Sequence, residues 1–446
     1  MGILIGGYLY FSTATPLDRL ELPEDSLERL VTREMDLRDA LLRAPAWERM
    51  LYLGFSGDDD TLNDSIAWYD ELGDAVESPL VRLNRVILLA EAGQVNRVSV
   101  AIVPWEFRDD ASARMAGWVR AAYMKAPPDL ETGRKVLTEI REGLPSGWFA
   151  DVLAARVAAG IGDKSSRTEA ESAIAARGDS LLHRRRILVL GELVLLVLGG
   201  GVLWRIVARR SDVRIGDALV PPAWTTQEGY GLFIRGTLGF LVMSALLPSI
   251  LPKESPLVGL STLAAGAPML VWTGWYLAAK GASALGAFGL QPPAGGAVRL
   301  GSVTVVIIGL SLMGEAGIGL VGTAFQLKTH WADGFLEELL WGPSWLVASV
   351  ALDSIVWAPV VEEITFRGVL YATFRRRLGA GPAVLVSAGI FALVHGYGTM
   401  GFISVFWSGI LWALAYERTR SLLPGILGHA INNFFVSAEF IWLLRV

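Results

Sequence analysis

The 446-residue chain contains no cysteine and only four histidines. Without thiols there is no disulfide framework, thiolate zinc site, iron–sulfur cluster or cysteine nucleophile. Charge is scarce as well, at 19% of residues against 52% hydrophobic. That balance is too apolar for an ordinary soluble enzyme and too charged for a chain lying wholly in lipid. Dividing the sequence at Arg184 resolves the conflict. Residues 1–183 carry 20 Lys and Arg against 30 Asp and Glu, a net of −10. Residues 184–446 carry the remaining 19 and 14, a net of +5. The first part reads as acidic and water-soluble, the second as membrane. An acidic soluble part leaves no nucleic-acid partner.

Met1–Ser12 is apolar but about half a membrane span, and it lacks the basic leader and small-residue cleavage site of a full signal peptide. It is read either as a truncated anchor or signal remnant or as the buried end of a first helix. From 13 to 183 apolar residues recur at helical spacing, as in Leu27, Leu30 and Val31. Breaks at Gly57, Gly93, Pro127 and Gly160 are spaced by 36, 34 and 33 residues. That is the period of a tetratricopeptide-like helical repeat, which would bind a protein partner, although the signature residues of that repeat are missing. The competing reading is an irregular helical domain with evenly spaced turns.

After Ser180 long apolar runs appear. They are Ile187–Trp204, Gly231–Leu251, Ser255–Ala279, Leu300–Leu327, Leu339–Val361, Leu378–Tyr416 and Ser421–Leu444. Leu378–Tyr416 holds no charged residue over 39 positions, enough for two helices around a turn near Gly396–Gly398. The expectation is an all-α chain: a soluble helical domain at 13–183, then a transmembrane bundle of about eight spans at 184–446. Lys and Arg in the short loops number 12 on one side, including Arg205, Arg299, Arg375 and Arg418. The other side holds three, Lys253, Lys328 and Arg445. The richer side is expected to be cytoplasmic. With eight spans the N-terminal domain is then extracytoplasmic, a placement that Arg184, Arg185 and Arg186 oppose.

Ionisable groups inside spans are expensive and mark candidate sites. Glu192 and Arg235 lie near span ends and can snorkel; Glu315 and Asp353 lie deeper. The strongest cluster starts at Glu362-Glu363-Ile364-Thr365-Phe366-Arg367. On a helix Glu363 and Arg367 form an i, i+4 ion pair, acid first. Glu362 is rotated about 100° away and lacks that partner. An unpaired, partly desolvated carboxylate is what a general base requires. Phe391-Ala392-Leu393-Val394-His395 and His429-Ala430-Ile431-Asn432-Asn433 complete the cluster, with His429 and Asn433 on one helix face. A lone intramembrane histidine is more often a helix–helix hydrogen bond. Two of them, with a spare glutamate and an asparagine, converge on hydrolysis: a base for water, a histidine for a metal or an oxyanion, and an amide donor.

Glu362-Glu363-x-x-x-Arg367, Phe391-x-x-x-His395 and His429-x-x-x-Asn433, in this order, resemble the CPBP intramembrane proteases. That family includes type II CAAX prenyl endopeptidases and bacteriocin-processing, Abi-type proteins. The resemblance covers about 225–445, with its motif core at 355–435. It implies hydrolysis of a peptide bond in a membrane cavity open toward the cytoplasm. Glu362 would activate water with help from His395, while His429 and Asn433 would hold the oxyanion or a metal. Zinc or another divalent metal on Glu362, His395, His429 and Asn433 is a further expectation, although the local His-Glu-x-x-His signature is absent. Ser408-Gly409 lacks the upstream glycine of a rhomboid-type site. The expected substrate is a membrane peptide or protein in the plasma membrane of a bacterium, with the lipid bilayer as surroundings. The alternatives are a non-catalytic scaffold or immunity module whose helical domain recruits partners, and a transporter built on Glu315 and Asp353.

Overall fold

The computed structural model describes residues 16–56, 61–124, 127–220, 222–252, 255–291 and 296–445. Met1–Ser12, Gly57 and Lys253 lie outside the described residues. Among the described residues every regular element is helical and none is a strand. Contacts divide the chain into two units, one of Leu17–Ile187 and one containing Leu188–Val446.

The first unit holds α1 (Pro23–Arg43), α2 (Ala46–Ser56), α3 (Thr61–Ala75), α4 (Pro79–Glu91), α5 (Val95–Ile102), α6 (Asp110–Tyr123), α7 (Leu130–Gly143) and α8 (Trp148–Gly160). Local chemistry starts several of them. Asp109 accepts from the Ser112 N–H to cap α6, and Asp129 accepts from Glu131 and Thr132 N–H to cap α7. Leu27, Val31 and Met35 form a fully buried stripe along α1. Helix α1 packs on α3 and also on α8. Trp148 of α8 donates to Asp39 of α1 at 2.9 Å, and Arg177 donates to Asp36 at 2.9 Å. An open repeat array touches only its neighbours. In this unit α1 also meets α8, and a tetratricopeptide-like array is not confirmed.

Helix α9 (Lys164–Arg209) carries the chain into the second unit. The second unit adds α10 (Thr226–Ile250), α11 (Ser261–Ala279), α12 (Gly296–Phe325), α13 (Ser344–Leu378), α14 (Ala380–His395), α15 (Thr399–Thr419) and α16 (Leu423–Glu439). Six helical segments among the described residues are long and apolar enough to cross a bilayer: α9, Leu257–Ala279 containing α11, α10, α12, α13 and α15. The eight-span expectation is therefore carried only as far as six. Helix α14 is apolar but 16 residues long, and α16 runs on as a π-helical turn over Phe440–Arg445. A reciprocal capping box between Thr225 and Glu228 starts α10. Small residues set close crossings: a Cβ on Gly199 of α9 would lie 2.9 Å from the Cα of Gly309 of α12. Helix α13 alternates in winding. It is π-helical over Asp353–Trp357, α-helical over Ala358–Glu362, and π-helical again over Glu363–Tyr371. Such widened turns are rare and are frequently found at functional sites.

Candidate active site

Glu362 and Glu363 sit where α13 changes winding, and α14, α15 and α16 pack around that stretch. The Glu363 carboxylate accepts from Arg367 Nη1 at 3.0 Å, with side-chain exposures of 0% and 1%. A pair buried this completely needs more than mutual attraction to offset its desolvation. Aromatic faces supply part of it: the Arg367 guanidinium lies 4.1 Å from the Phe391 ring centre and 5.0 Å from that of Trp412. Glycines let the helices come near enough. A Cβ on Gly425 would lie 2.9 Å from Glu363 Oε2, and one on Gly409 would lie 3.1 Å from Arg367 Nη2.

His429 faces both glutamates. Its Nε2 is 3.8 Å from Glu362 Oε2 and its Nδ1 is 3.4 Å from Glu363 Oε1. The ring stacks on Trp412 at 4.1 Å between centres and 16° between planes, which fixes its orientation. Glu362 is the more open acid, 26% exposed. Glu362 Oε2, Glu363 Oε2, Arg367 Nη2 and His429 Nδ1 are all buried without a hydrogen-bond partner. Buried polar atoms are nearly always satisfied, so four such atoms in one place mark a site for a polar group.

His395 stands beside the same aromatic hub, its ring 4.6 Å from Phe391 and 5.6 Å from Tyr397. Its Nδ1 lies 2.7 Å from the Phe391 carbonyl, which can only accept. Nδ1 therefore carries the proton, and in the neutral ring Nε2 keeps the lone pair. No ion pair joins His395 to Glu362 among the described residues. Asn433 does not point its amide at the glutamates; Nδ2 donates to the Ser354 carbonyl at 2.8 Å.

The structure thus gathers Glu362, Glu363, Arg367, Phe391 and His429 into one cluster, with His395 reached through Phe391 and Asn433 engaged one step away. Among the described residues no three His, Asp or Glu side chains are disposed to hold a metal ion. No step below passes through a metal ion. The other deep acids, Asp353 earlier in α13 and Glu315 in α12, are tied to hydroxyls. Asp353 accepts from Thr262 N–H at 3.3 Å and Thr262 Oγ1 at 2.5 Å at the start of α11, and Glu315 accepts from Ser404 Oγ at 2.6 Å. A carboxylate at a helix N-terminus is a stabilising placement. Sequence reading missed Trp412, Gly409, Gly425 and Ser354. Only Pro359, a proline inside an apolar run, gave a local sign of the irregular winding.

Residues 343–435 match the model of the family described as type II CAAX prenyl endopeptidase Rce1-like. This segment is similar to Rce1-like domains. It contains every motif residue described above, from Glu362 to Asn433, and bears out the CPBP resemblance. The six long apolar helices make the chain an integral membrane protein, and its segment 343–435 is similar to a protease family. No curated protein and no solved structure matches the chain.

Proposed function

We propose that this chain is an intramembrane endopeptidase in which Glu362 is the base that activates water. The observation that carries the reading is the group of unpartnered buried atoms on Glu362, Glu363, Arg367 and His429 within a segment similar to Rce1-like domains. The Glu363–Arg367 pair is structural: it holds one carboxylate in place and leaves Glu362 free of a cation. In the reaction, Glu362 takes a proton from water as the oxygen attacks the scissile carbonyl carbon. The His395 lone pair at Nε2 orients that water, and His429 donates to the oxyanion. Collapse of the tetrahedral species breaks the C–N bond, and the proton held by Glu362 passes to the leaving amine. Proton balance is complete without any further group.

The substrate class is a membrane-anchored peptide or the end of a membrane protein. Counting α14 and α16 as crossings gives eight, which with Arg367 buried would leave 11 basic loop residues on the cytoplasmic side and the acidic helical unit outside, in the plasma membrane of a bacterium. That unit is free to bind a protein partner of its own. The full chain in lipid vesicles should cleave members of a panel of farnesylated CAAX-terminated and membrane-spanning peptides, read by mass spectrometry. Glu362→Gln should slow cleavage by about 10³-fold and His395→Ala by about 10²-fold. Equal cleavage by all three proteins, or none by any, sinks the reading. In cells, loss of function on deleting 13–183 with Glu362→Gln fully active would instead favour the scaffold alternative.

A further inference from the structure

Ion pairs tie α1 and α2 to α9 in register. Arg177 donates to Asp36 at 2.9 Å, Arg43 donates to Asp179 at 2.8 Å, and Arg186 donates to Glu48 at 2.6 and 2.9 Å. A Cβ on Gly178 would lie 3.1 Å from the Ala40 Cβ, so α1 and α9 run in close contact. Passing from α1 into α2 therefore follows α9 toward its apolar run, by about 14 Å between Arg177 and Arg186. That run starts at Ile187, the residue after Arg186. Arginines at the start of a span place their heads among the lipid headgroups, a layer about 5–7 Å deep. Glu48 shares that level, because both its oxygens accept from Arg186.

Helix α2 has two unlike faces there. Glu48 and Tyr52, one turn apart, are buried. Trp47 and Met50, neighbours at i, i+3, are 67% and 71% exposed, and Arg49 between them is exposed as well. In water these two large side chains forgo the free energy of burial. In a headgroup layer an indole meets apolar and polar surroundings at once, and a guanidinium meets phosphates. We propose that α2 is a membrane-surface element: Trp47 and Met50 insert among the headgroups of the bilayer that α9 enters, with Arg49 beside a lipid phosphate. The occupant of this face is the lipid surface, because the face begins one residue from Glu48 and Glu48 is held at the mouth of the span.

The test uses the full chain in vesicles of phosphatidylcholine and phosphatidylglycerol, with no more than a single chain in each. The chain has no cysteine, so Ala46→Cys at the exposed start of α2 can carry an environment-sensitive dye and leave Trp47 and Met50 in place. Val100→Cys, at a site 75% exposed on α5, is the reference. Nitroxide lipids labelled at the headgroup should quench the dye at position 46 about threefold more than at position 100, and more than nitroxides deep in the acyl chains do. Trp47→Ser together with Met50→Ser changes only exposed side chains and should bring quenching at position 46 down to the reference. Equal quenching at the two positions overturns the proposal. Shielding from aqueous iodide without lipid quenching overturns it too, since protein would then cover the face. Quenching that survives the double serine variant does the same, because α2 would then lie near lipid through the α9 tether alone.

Discussion

The first unit and the candidate site of the second bury charge in opposite ways. In the first unit acids and bases close on each other. Arg177 bonds Asp36 through two nitrogens and Asp151 through a third, Arg186 grips Glu48 at 2.6 and 2.9 Å, and Arg156 grips Glu91 at 2.6 and 2.8 Å. In the second unit Arg367 has one hydrogen bond to Glu363 and leaves Nη2 unused, and His429 stands near two carboxylates without bonding either. The first pattern uses its hydrogen-bonding capacity for the fold. The second holds capacity in reserve, which is what a site that must receive a polar group requires.

That contrast is sharpest at the two arginines. Arg367→Met strands Glu363 in a dry cluster and should cost about 3–5 kcal/mol of stability. Thermal unfolding in detergent would read the loss. Pairing it with Glu363→Leu removes both charges and should restore most of the stability while leaving peptide cleavage impaired. Full recovery of cleavage by the double variant would show that the pair has no part in ordering the site. Arg177→Met in the first unit strands Asp36, whose neighbourhood is wetter, and should cost a smaller amount, about 2–3 kcal/mol. Equal losses at the two arginines would erase the distinction drawn between the units.

The smallest effect is one of pH in the first unit. Backbone N–H donors hold the capping carboxyls of Asp109, Asp129 and Asp163 below the usual range. Their contribution is present above about pH 4 and is lost as pH falls through their lowered values. Asp36 runs the other way. Burial pushes it up to about 6 against the pull of Arg177, so its contribution is present below about pH 4 and is lost as pH rises through about 6. The unit should be most stable near pH 4 to 5. A dye on a single introduced cysteine, in a chain that has no other, can follow its melting. Asp36→Asn should flatten the decline between pH 4 and 6, and a decline that survives the substitution would assign it to another group.

What the sequence made legible was set by local spacing. The i, i+4 relation of Glu363 and Arg367 needs only a helix, and the two residues meet at 3.0 Å. Long apolar runs announced membrane helices, of which six meet the length and composition of a span. Contacts across helices were not legible. Nothing near His429 in the chain announces Trp412 as its stacking partner, because the contact depends on how α15 lies against α16. Asn433 was expected at an oxyanion on motif alone, and the carbonyl it reaches is 79 residues away. The repeat reading is not confirmed for a related reason: turn spacing is local, and the contact of α1 with α8 is not.

One dimension of α14 reaches beyond the protein itself. At 16 residues the helix is about 24 Å long, short of the roughly 30 Å hydrocarbon core. His395 is its last residue. A short span draws the surrounding lipid thinner, and headgroups and water come down with it. Hydrolysis in hydrocarbon needs a supply of water, and hydrophobic mismatch at this edge would provide it through the bilayer's own deformation, without a built channel. On the endopeptidase reading, with α14 counted as a crossing, the thickness of the host membrane would then act as a control on turnover.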